Sequence, residues 1–379
     1  MELPKIPFNR VVFKGDEVSL VSESLESGKI AGDQKYTKKC ESFLEQALGP
    51  KRALLTTSCT HALEMAALLL NISSEDEIIV PSYTFVSTAN AFAMRGAKII
   101  FCDIRPDTLN LCEKAFEALI TNRTKAVVPV HYAGVACEMD AIMAIAKKNN
   151  IAVIEDNAHG FLGTYKGSKL GTIGDFGTQS FHETKNITCG EGGALLINRV
   201  EHVERAEIIR EKGTNRAQFL NGEVDKYSWV DIGSSYVMSD ILAALLFSQL
   251  SSATHIQNRR MEIWKNYRQA LGEWAHNNQI QLPFVPEACE QTYHMFYLLL
   301  PDLDSRNRFI AHLKSHGISS TFHYLPLDQS AMGKLAGIAP HKCPNTQAAS
   351  DRIVRLPLFP DLTDSEQCSI IERALEFTP

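Results

Sequence analysis

A lysine followed by a glycine-rich turn lies in the segment Ser180–Gly193, which reads Ser-Phe-His-Glu-Thr-Lys-Asn-Ile-Thr-Cys-Gly-Glu-Gly-Gly. The segment leads into the apolar run Ala194–Ile197. Lys185 is therefore predicted in a loop after a strand, where a deprotonated lysine amine can form a Schiff base. An exposed lysine with no chemical role would look the same, and for a single lysine that is the commoner case. The motifs elsewhere in the chain shift the balance.

An acid follows a buried apolar run about thirty residues earlier, in Ile151-Ala-Val-Ile-Glu-Asp-Asn-Ala-His159. Asp156 is predicted at the carboxyl end of a strand. A pyridoxal enzyme needs such an acid to keep the pyridine nitrogen protonated, because the cationic ring is the electron sink. His159, three residues on, is placed to orient a ring substituent. An aspartate after a strand is as often a helix N-cap, so both interpretations stay open here.

Two further turns suit a flat, phosphorylated ligand. Thr56-Thr-Ser-Cys-Thr-His-Ala-Leu63 feeds a predicted helix, whose free backbone N–H groups suit a phosphate. Pro81–Ala91 places Tyr83 and Phe85 at the mouth of another strand, where a ring could stack. Each turn alone is weak evidence, because helices need caps and aromatic residues usually fill cores. The chain has a phosphate cradle, a stacking ring, an acid and a lysine in this order. Together they indicate a pyridoxal site far more specifically than any one of them does.

The elements that must position these residues alternate between strand and helix over residues 50–200. The patterns predict strands at Arg52–Thr56, Glu77–Val80, Lys98–Cys102, Lys125–Val130 and Ile151–Glu155, and helices at Thr60–Leu70, Glu113–Ile120 and Met139–Lys148. Repeated strand–helix–strand units predict an α/β fold. Its sheet is expected to be largely parallel and covered on both faces, with ligands at the carboxyl ends of the strands.

The pattern changes after Met238. One long helix is predicted through His276, and then a strand, a helix, a strand and a helix at His294–Leu300, Arg306–Ser315, Ile318–His323 and Ser365–Leu375. This order predicts a smaller α+β domain. We expect a large domain with an N-terminal arm at residues 1–250 and the small C-terminal domain at residues 251–379.

Composition excludes several other classes. The 379 residues are 45% apolar, and 38 Lys+Arg against 44 Asp+Glu give a net charge of −6, which argues against a nucleic-acid binder. No leader is evident in Met1–Phe8, and no apolar stretch reaches the roughly 18 residues of a membrane span. Nine scattered cysteines without Cys-x-x-Cys spacing imply neither a disulfide framework nor a metal cluster. We expect a cytoplasmic protein without a metal.

The sequence resembles the DegT/DnrJ/EryC1/StrS family of pyridoxal-phosphate (PLP) sugar aminotransferases over nearly its full length. The motifs that carry this resemblance are Glu155-Asp-Asn-Ala-His, Phe181-His-Glu-Thr-Lys-Asn and Gly190-Glu-Gly-Gly. The resemblance implies the fold-type-I aminotransferase architecture. Within the family, the chain is most similar to enzymes that aminate dTDP-4-keto-6-deoxyglucose at C4, as in enterobacterial common antigen synthesis, through Pro81–Ala91, Pro129–Asp140, Arg210–Arg216 and Asp231–Tyr236.

The resemblance also implies roles for residues. Lys185 matches the covalent cofactor lysine, Asp156 the acid at the pyridine nitrogen and His159 the residue on the ring hydroxyl side. The remaining cofactor contacts implied are stacking by Phe85 and phosphate contacts by Cys59, Thr60, Ser180 and, from a partner subunit, Ser235. Substrate contacts are implied for Asn215, Arg216, His323 and Tyr324.

The chain departs from the family at two positions. Ser235 and Val237 stand where much of the family has Asn and Arg. Serine can donate one hydrogen bond but reaches less far, and valine cannot replace an arginine. The departure puts the contact across the subunit interface and part of the grip on the nucleotide sugar in doubt.

The function implied is transfer of an amino group from L-glutamate to a nucleotide-linked keto sugar by a homodimer. The favoured reaction converts dTDP-4-keto-6-deoxy-D-glucose into dTDP-4-amino-4,6-dideoxy-D-galactose. The equatorial, gluco-configured product and a 3-aminotransferase are alternatives, because both share the cofactor residues. A catalytically silent binding or regulatory protein on the same fold is the alternative from another class.

Overall fold

The computed structural model describes residues 5–13, 15–220 and 222–379. The first four residues of the segment Met1–Phe8, for which no leader is predicted, lie outside the described residues. The helices are α1 (Glu17–Glu26), α2 (Lys35–Leu48), α3 (Cys59–Leu69), α4 (Val86–Ala93), α5 (Glu113–Ala118), α6 (Met139–Asn149), α7 (Val203–Arg210), α8 (Arg216–Leu220), α9 (Asp240–Ser251), α10 (Ala253–Asn277), α11 (Leu303–Ser315), α12 (Ala331–Ala336), α13 (Pro344–Arg352) and α14 (Asp364–Leu375). The strands are β1 (Arg52–Thr56), β2 (Glu77–Pro81), β3 (Lys98–Cys102), β4 (Thr124–Val127), β5 (Ala152–Asp156), β6 (Thr164–Tyr165), β7 (Ser168–Lys169), β8 (Phe176–Ser180), β9 (Gly193–Ile197), β10 (Cys289–Glu290), β11 (Phe296–Leu299), β12 (Gly337–Ile338) and β13 (Ile353–Leu356).

The main sheet has eight strands in the order β1-β9-β8-β5-β4-β2-β3-β12. Strand β9 runs antiparallel to both of its neighbours, β1 and β8, and the other pairings are parallel. The predicted α/β fold with a largely parallel sheet is therefore confirmed. The parallel strands bring their carboxyl ends to one edge of the sheet, where ligands bind in such folds.

Helices cover both faces of this sheet, and the strands are apolar on both sides for that reason. In β2, Ile78 and Val80 face a core formed with α3 and α4, whereas Ile79 between them faces a core formed with α5 and α6. All three side chains are fully buried. Alternate residues of one strand thus stabilise two separate layers.

Apart from the two layers that cover the main sheet, the protein has another core, which we call the second core. It lies around the two-stranded antiparallel sheet β11–β13, in which Phe296 pairs with Leu356. The helices α10, α11 and α14 contribute Trp264, Phe309 and Ile370 to it. Division of the chain into residues 1–250 and 251–379 stays a prediction. Two features cross that boundary, because Ile6 packs into the second core and β12 joins the main sheet.

The single long helix predicted after Met238 is wrong. The chain forms α9 and α10 instead, which meet at Ser252 with φ −97° and ψ 5°. Two consecutive serines stand at the break, and the Ser251 hydroxyl donates to the Phe247 carbonyl at 2.8 Å. Serine side chains that bond the backbone in this way compete with the helix.

The strand predicted at Ile318–His323 is also wrong. Only isolated bridges form there, from Ile318 to Ile6 and from Thr321 to Arg355. The segment turns away from β13, and Tyr324 has φ 40°. Its direction is set by tertiary contacts, because the His323 carbonyl accepts a hydrogen bond from the Tyr83 hydroxyl at 3.0 Å.

No helix within the described ranges has both the length and the apolar character needed to cross a membrane.

Candidate active site

The predicted site residues meet at the carboxyl edge of the main sheet. Asp156 ends β5, Ser180 ends β8, and Thr56 at the end of β1 leads into α3. Strand β9 runs the other way, so its first residue, Gly193, pairs with both Ser180 and Thr56. The glycine-rich turn after Lys185 therefore returns to the same edge.

The start of α3 forms an anion cradle. The Ser58 hydroxyl caps the helix by accepting from the His61 amide at 3.1 Å, which leaves the Cys59 and Thr60 amides free of intrahelical partners. A Cβ on Gly193 would lie 2.3 Å from the Ser58 carbonyl carbon and 2.4 Å from the Cys59 nitrogen. Only glycine lets the turn pack this closely against the helix N-terminus.

Cys59 lies in this cradle as a neutral thiol. Burial, together with the nearby Asp156 carboxylate, raises the pKa of Cys59 to about 12. Its sulfur lies 3.4 Å from the Thr178 hydroxyl oxygen. The side chain is therefore neither a nucleophile nor an anion at neutral pH, and the backbone amide is what Cys59 offers a phosphate.

Asp156 is 5% exposed, and its carboxylate is held from two sides. The Thr88 hydroxyl donates to Oδ2 at 2.7 Å, and the Ala158 amide lies 3.2 Å from Oδ1. No helix begins after Asp156, because residues 157–163 form turns, so the N-cap alternative is wrong. The carboxylate keeps lone pairs for a further donor.

Two stacked histidines form one wall. The rings of His159 and His294 are 4.3 Å apart and inclined by 18°. Burial lowers the pKa of each well below its usual range, and the Lys185 charge adds to the effect, so both are neutral. His294 Nδ1 bonds Asn186 Oδ1 at 2.8 Å, whereas the buried His159 Nδ1 has no hydrogen-bond partner among the described residues.

Aromatic rings line the opening of the site. The Tyr132 hydroxyl bonds His323 Nδ1 at 2.7 Å, and the His323 and Tyr324 rings stack at 3.5 Å. Phe85, which is 56% exposed, has its ring 6.3 Å from that of Tyr324. A positive φ costs energy at a residue such as Tyr324, and strain of this kind is concentrated at functional sites.

Lys185 has an unusual electrostatic environment. Burial lowers the pKa of its amine to about 8, with a further contribution from the Arg355 charge, against the opposing effects of Cys59 and Asp156. At pH 7 about a tenth of such amines are neutral, compared with fewer than about one in a thousand for an ordinary lysine. The amine is therefore available as a nucleophile or a base near neutral pH.

Three predicted residues lie outside this cluster. Asn215 Oδ1 accepts from the Ser228 amide at 2.8 Å, and Arg216 pairs with Glu211 at 2.9 Å. Ser235 is exposed and bridges Glu211 through its backbone. Within this chain, they form a separate surface.

The sequence analysis missed several residues of the cluster. Thr88 had a signal, since it follows Phe85 by three residues and lies on the same side of α4. Arg355 is a charge within the otherwise apolar Ile353–Leu356 and deserved notice for that reason. Tyr132 and His294 carry no local signal, because only the tertiary fold brings them here.

The residues present fit PLP. Free amides at the start of α3 suit its phosphate, Asp156 suits a protonated ring nitrogen, and the unpartnered His159 Nδ1 suits a ring hydroxyl donor. Lys185 supplies an amine for its aldehyde.

Neighbouring acids offer a matched pair of variants. Glu155 is fully buried and accepts from the Gly171, Ile173 and Gly174 amides at 2.8, 2.7 and 2.6 Å, and its Oε2 lies 2.8 Å from His131 Nε2. Glu155→Gln places an amide donor against backbone donors, and we expect it to lower the free energy of unfolding by about 2–4 kcal/mol.

Asp156→Asn, in contrast to Glu155→Gln, should affect activity rather than stability. We expect near-normal thermal unfolding but a loss of activity of about 10²-fold or more, because a neutral amide cannot stabilise a protonated ring nitrogen. Activity within threefold of the unmodified enzyme would show that Asp156 has no such role.

The pKa of Lys185 predicts how cofactor attachment depends on pH. Attachment requires the neutral amine, so the rate at which apo-protein binds PLP covalently should rise between pH 6 and 9 with a midpoint near 8. Stopped-flow absorbance measures this rate. Arg355→Met removes a positive charge and should move the midpoint upward; a midpoint near 10 in the unmodified protein would contradict the proposed environment.

Comparison with known proteins supports the chemistry of this site. The model of the DegT/DnrJ/EryC1/StrS aminotransferase family matches residues 12–374. The uncharacterized protein MJ1066 of Methanocaldococcus jannaschii is 35% identical over 364 residues, which are 94% of this chain and 93% of that protein.

Solved structures show the same architecture. Spr1654 from Streptococcus pneumoniae, assigned as a sugar aminotransferase, superposes in its PMP form with a TM-score of 0.90 and 28% identity over 98% of both chains. The aminotransferase TlmJ from Streptoalloteichus hindustanus superposes with a TM-score of 0.89 and 27% identity over 99% of this chain and 98% of that one. A PLP form of Spr1654 is similar to the same extent, with a TM-score of 0.89 and 28% identity over 97% of both chains. The chain belongs to the DegT/DnrJ/EryC1/StrS aminotransferase family, and it is a PLP-dependent sugar aminotransferase.

Proposed function

We propose that this enzyme transfers the amino group of L-glutamate to C4 of dTDP-4-keto-6-deoxy-D-glucose and forms dTDP-4-amino-4,6-dideoxy-D-galactose. The observation that carries the proposal is the position of Tyr132. It belongs to Pro129–Asp140, one of the segments that resemble the C4-aminating enzymes. Its hydroxyl lies at the wall of the site, bonded to His323.

The chain's own residues account for the proton transfers. When bound, PLP supplies a cationic ring that withdraws electrons from the bonds to the reacting carbon. With PLP bound, the Lys185 amine would be the base that takes the proton from Cα of the donor, and in the second half-reaction it would deliver a proton to C4 of the sugar. A pKa of about 8 suits both directions of that transfer near neutral pH.

Other residues hold the cofactor in our proposal. The Asp156 carboxylate keeps a proton on the ring nitrogen, and Thr88 fixes the orientation of that carboxylate. The Cys59 and Thr60 amides and the Ser180 hydroxyl bind the phosphate, which the positive end of α3 also stabilises. Phe85 would stack on the cofactor ring, and His159 would contact its hydroxyl group.

Two of the other resembling segments, Arg210–Arg216 and Asp231–Tyr236, lie beside the phosphate cradle. The Tyr236 carbonyl accepts from the Thr57 amide at 3.1 Å, and the Tyr236 amide donates to the Arg210 carbonyl at 3.2 Å. Arg210–Arg216 and Asp231–Tyr236 are joined further by the bridge between Glu211 and Ser235. In our proposal, Asn215 and Arg216 contact the nucleotide diphosphate, while His323 and Tyr324 contact the sugar.

In our proposal, Val237 does not take part in binding. A Cβ on Gly32 would lie 2.0 Å from Val237 Cγ1, so the valine side chain packs directly against that glycine. An arginine side chain would have to leave this contact. Nucleotide binding is therefore assigned to the neighbouring segments.

The substrate assignment is tested with a panel of nucleotide ketosugars, L-glutamate and NMR of the aminosugar. We expect amination of dTDP-4-keto-6-deoxyglucose and a small H3–H4 coupling, which marks an axial C4 amine. A large diaxial coupling would establish the gluco-configured product, and turnover of only a 3-keto sugar would establish a 3-aminotransferase. No amination and no glutamate-driven change of the cofactor would favour a silent binding protein.

A homodimer is part of the proposal, with Ser235 contacting the partner subunit's phosphate site. The support is a group of exposed apolar side chains in the same segment, since Trp229, Val230 and Ile232 are 80%, 51% and 57% exposed. Apolar surface of this kind marks interaction sites. All nine cysteines are free, which fits a reducing cytoplasm.

Sedimentation tests the dimer. We expect twice the 42.1-kDa mass of the chain, and dissociation when Ile232→Asp places a charge in the proposed interface. Val200→Asp is the matched control, because Val200 is 71% exposed but lies elsewhere. A fully active monomer would contradict the proposed completion of the site across subunits.

A further inference from the structure

Among the described residues, no carboxylate forms an ion pair with Arg355, which lies at the edge of the cluster. It extends from β13, and its buried Nε atom has no hydrogen-bond partner within the same residues. Its Nη2 lies 3.4 Å from the Phe322 carbonyl, a long contact that satisfies the group poorly. In the described ranges, the groups that favour its charge are the phenols of Tyr132, Tyr324 and Tyr83, not a carboxylate.

The guanidinium is also shielded from solvent on one side. The Phe8 ring of the N-terminal arm lies 4.7 Å from its central carbon. That arm is fixed, because Ile6 pairs with Ile318 and the Asn9 amide nitrogen donates to the Glu183 carbonyl at 3.1 Å. Burial lowers the pKa of Arg355, which means that solvation of its charge is incomplete.

Its charge acts directly on the reacting residues. Arg355 pairs with Thr321, two residues before His323, and the His323 ring lies 6.0 Å from the His159 ring. The Arg355 charge also lowers the pKa values of Lys185, His159 and His323. An anion held by Arg355 would therefore lie beside the carbon on which Lys185 acts. The cradle at the start of α3 is a separate anion site on a different element.

We propose that Arg355 binds the carboxylate attached to the amine-bearing carbon of the amino donor. This inference rests on the proposed function, in which Lys185 moves a proton at that carbon. A donor's α-carboxylate is bonded to the reacting carbon, so it must lie close to the lysine. The diphosphate of a nucleotide sugar is attached at C1, across the ring from C4, and therefore lies farther away.

An arginine suits this role because its planar guanidinium can donate two parallel hydrogen bonds to a carboxylate. The unpartnered Nε would become one of the donors. The keto sugar brings no carboxylate to the same place, so the contact exists in only one half of the reaction. Arg355 thus selects α-amino acids as donors, and in the second half it acts only through its effect on the pKa of Lys185.

The test compares two donors that differ only in that carboxylate. 4-Aminobutyrate is L-glutamate without the carboxylate on the amine-bearing carbon. Single-turnover absorbance of the PLP-loaded enzyme gives the rate constant of cofactor amination for each donor. Wild type should favour L-glutamate by at least about tenfold, and Arg355→Met should reduce that preference by roughly 10- to 100-fold.

Further measurements separate binding of the donor from general damage. Arg355→Lys should recover part of the preference for L-glutamate, because lysine keeps the positive charge but cannot donate two parallel hydrogen bonds. At pH 9, above the Lys185 midpoint near 8, the PMP-loaded Arg355→Met enzyme should still react with dTDP-4-keto-6-deoxyglucose within threefold of wild type. Arg306→Met is the matched control. The Arg306 Nε is also buried without a hydrogen-bond partner among the described residues, and its guanidinium lies 5.4 Å over the Phe322 ring, yet Arg306 is not among the charges that shift the pKa of Lys185. The Arg306→Met variant should keep the wild-type preference for L-glutamate over 4-aminobutyrate.

The outcomes against the inference are distinct. Equal rates for the two donors in wild type would overturn it without any variant. An unchanged preference in Arg355→Met, or a loss confined to the sugar half-reaction, would also overturn it and would leave the aminotransferase proposal intact. Failure of wild type to react with L-glutamate at all would instead remove the donor assignment, and the inference with it.

Discussion

The constraint on which the site depends is that the positive charge of Lys185 is buried without a full counter-charge. The Arg355 charge lowers the pKa of Lys185 in a buried region where the nearby histidines are neutral. Asp156 is the carboxylate that opposes them at the lysine. A buried charge without a full counter-charge is costly, and the cost is relieved by losing a proton or by binding anions. In our proposal, the region is therefore preorganised for a phosphorylated cofactor and a carboxylate-bearing donor, both of which bring negative charge.

The sheet holds this arrangement in place. Parallel strands bring Asp156 and Ser180 to one edge, and the reversed strand β9 returns Gly193 to the same edge. The close contact of Gly193 with the Ser58–Cys59 peptide ties the lysine loop to the phosphate cradle. The adjacent acids Glu155 and Asp156 have different roles. Glu155 accepts hydrogen bonds from backbone amides and fixes a turn, whereas Asp156 faces the site.

Much of this arrangement is predictable from the sequence because strand ends and glycine-rich turns are local features. The strands around Arg52–Thr56 and Lys98–Cys102 were predicted with the bounds that the structure has. The break at Ser252 was missed because apolar periodicity continues through it, while the serine side chains act on the backbone. His294 and Arg355 reach the cluster from the chain around β11 and β13, more than 100 residues after Lys185, and no local pattern predicts that approach.

The central claim is that Lys185 is the residue that binds the cofactor covalently. Borohydride reduction of the PLP-loaded enzyme, followed by peptide mapping with mass spectrometry, tests it most directly. We expect the pyridoxyl group on the peptide that contains Lys185, with no label in Lys185→Ala. A label on Lys169, whose amine lies 3.5 Å from the Leu162 carbonyl, or on Lys212, which pairs with Glu211, would contradict the account.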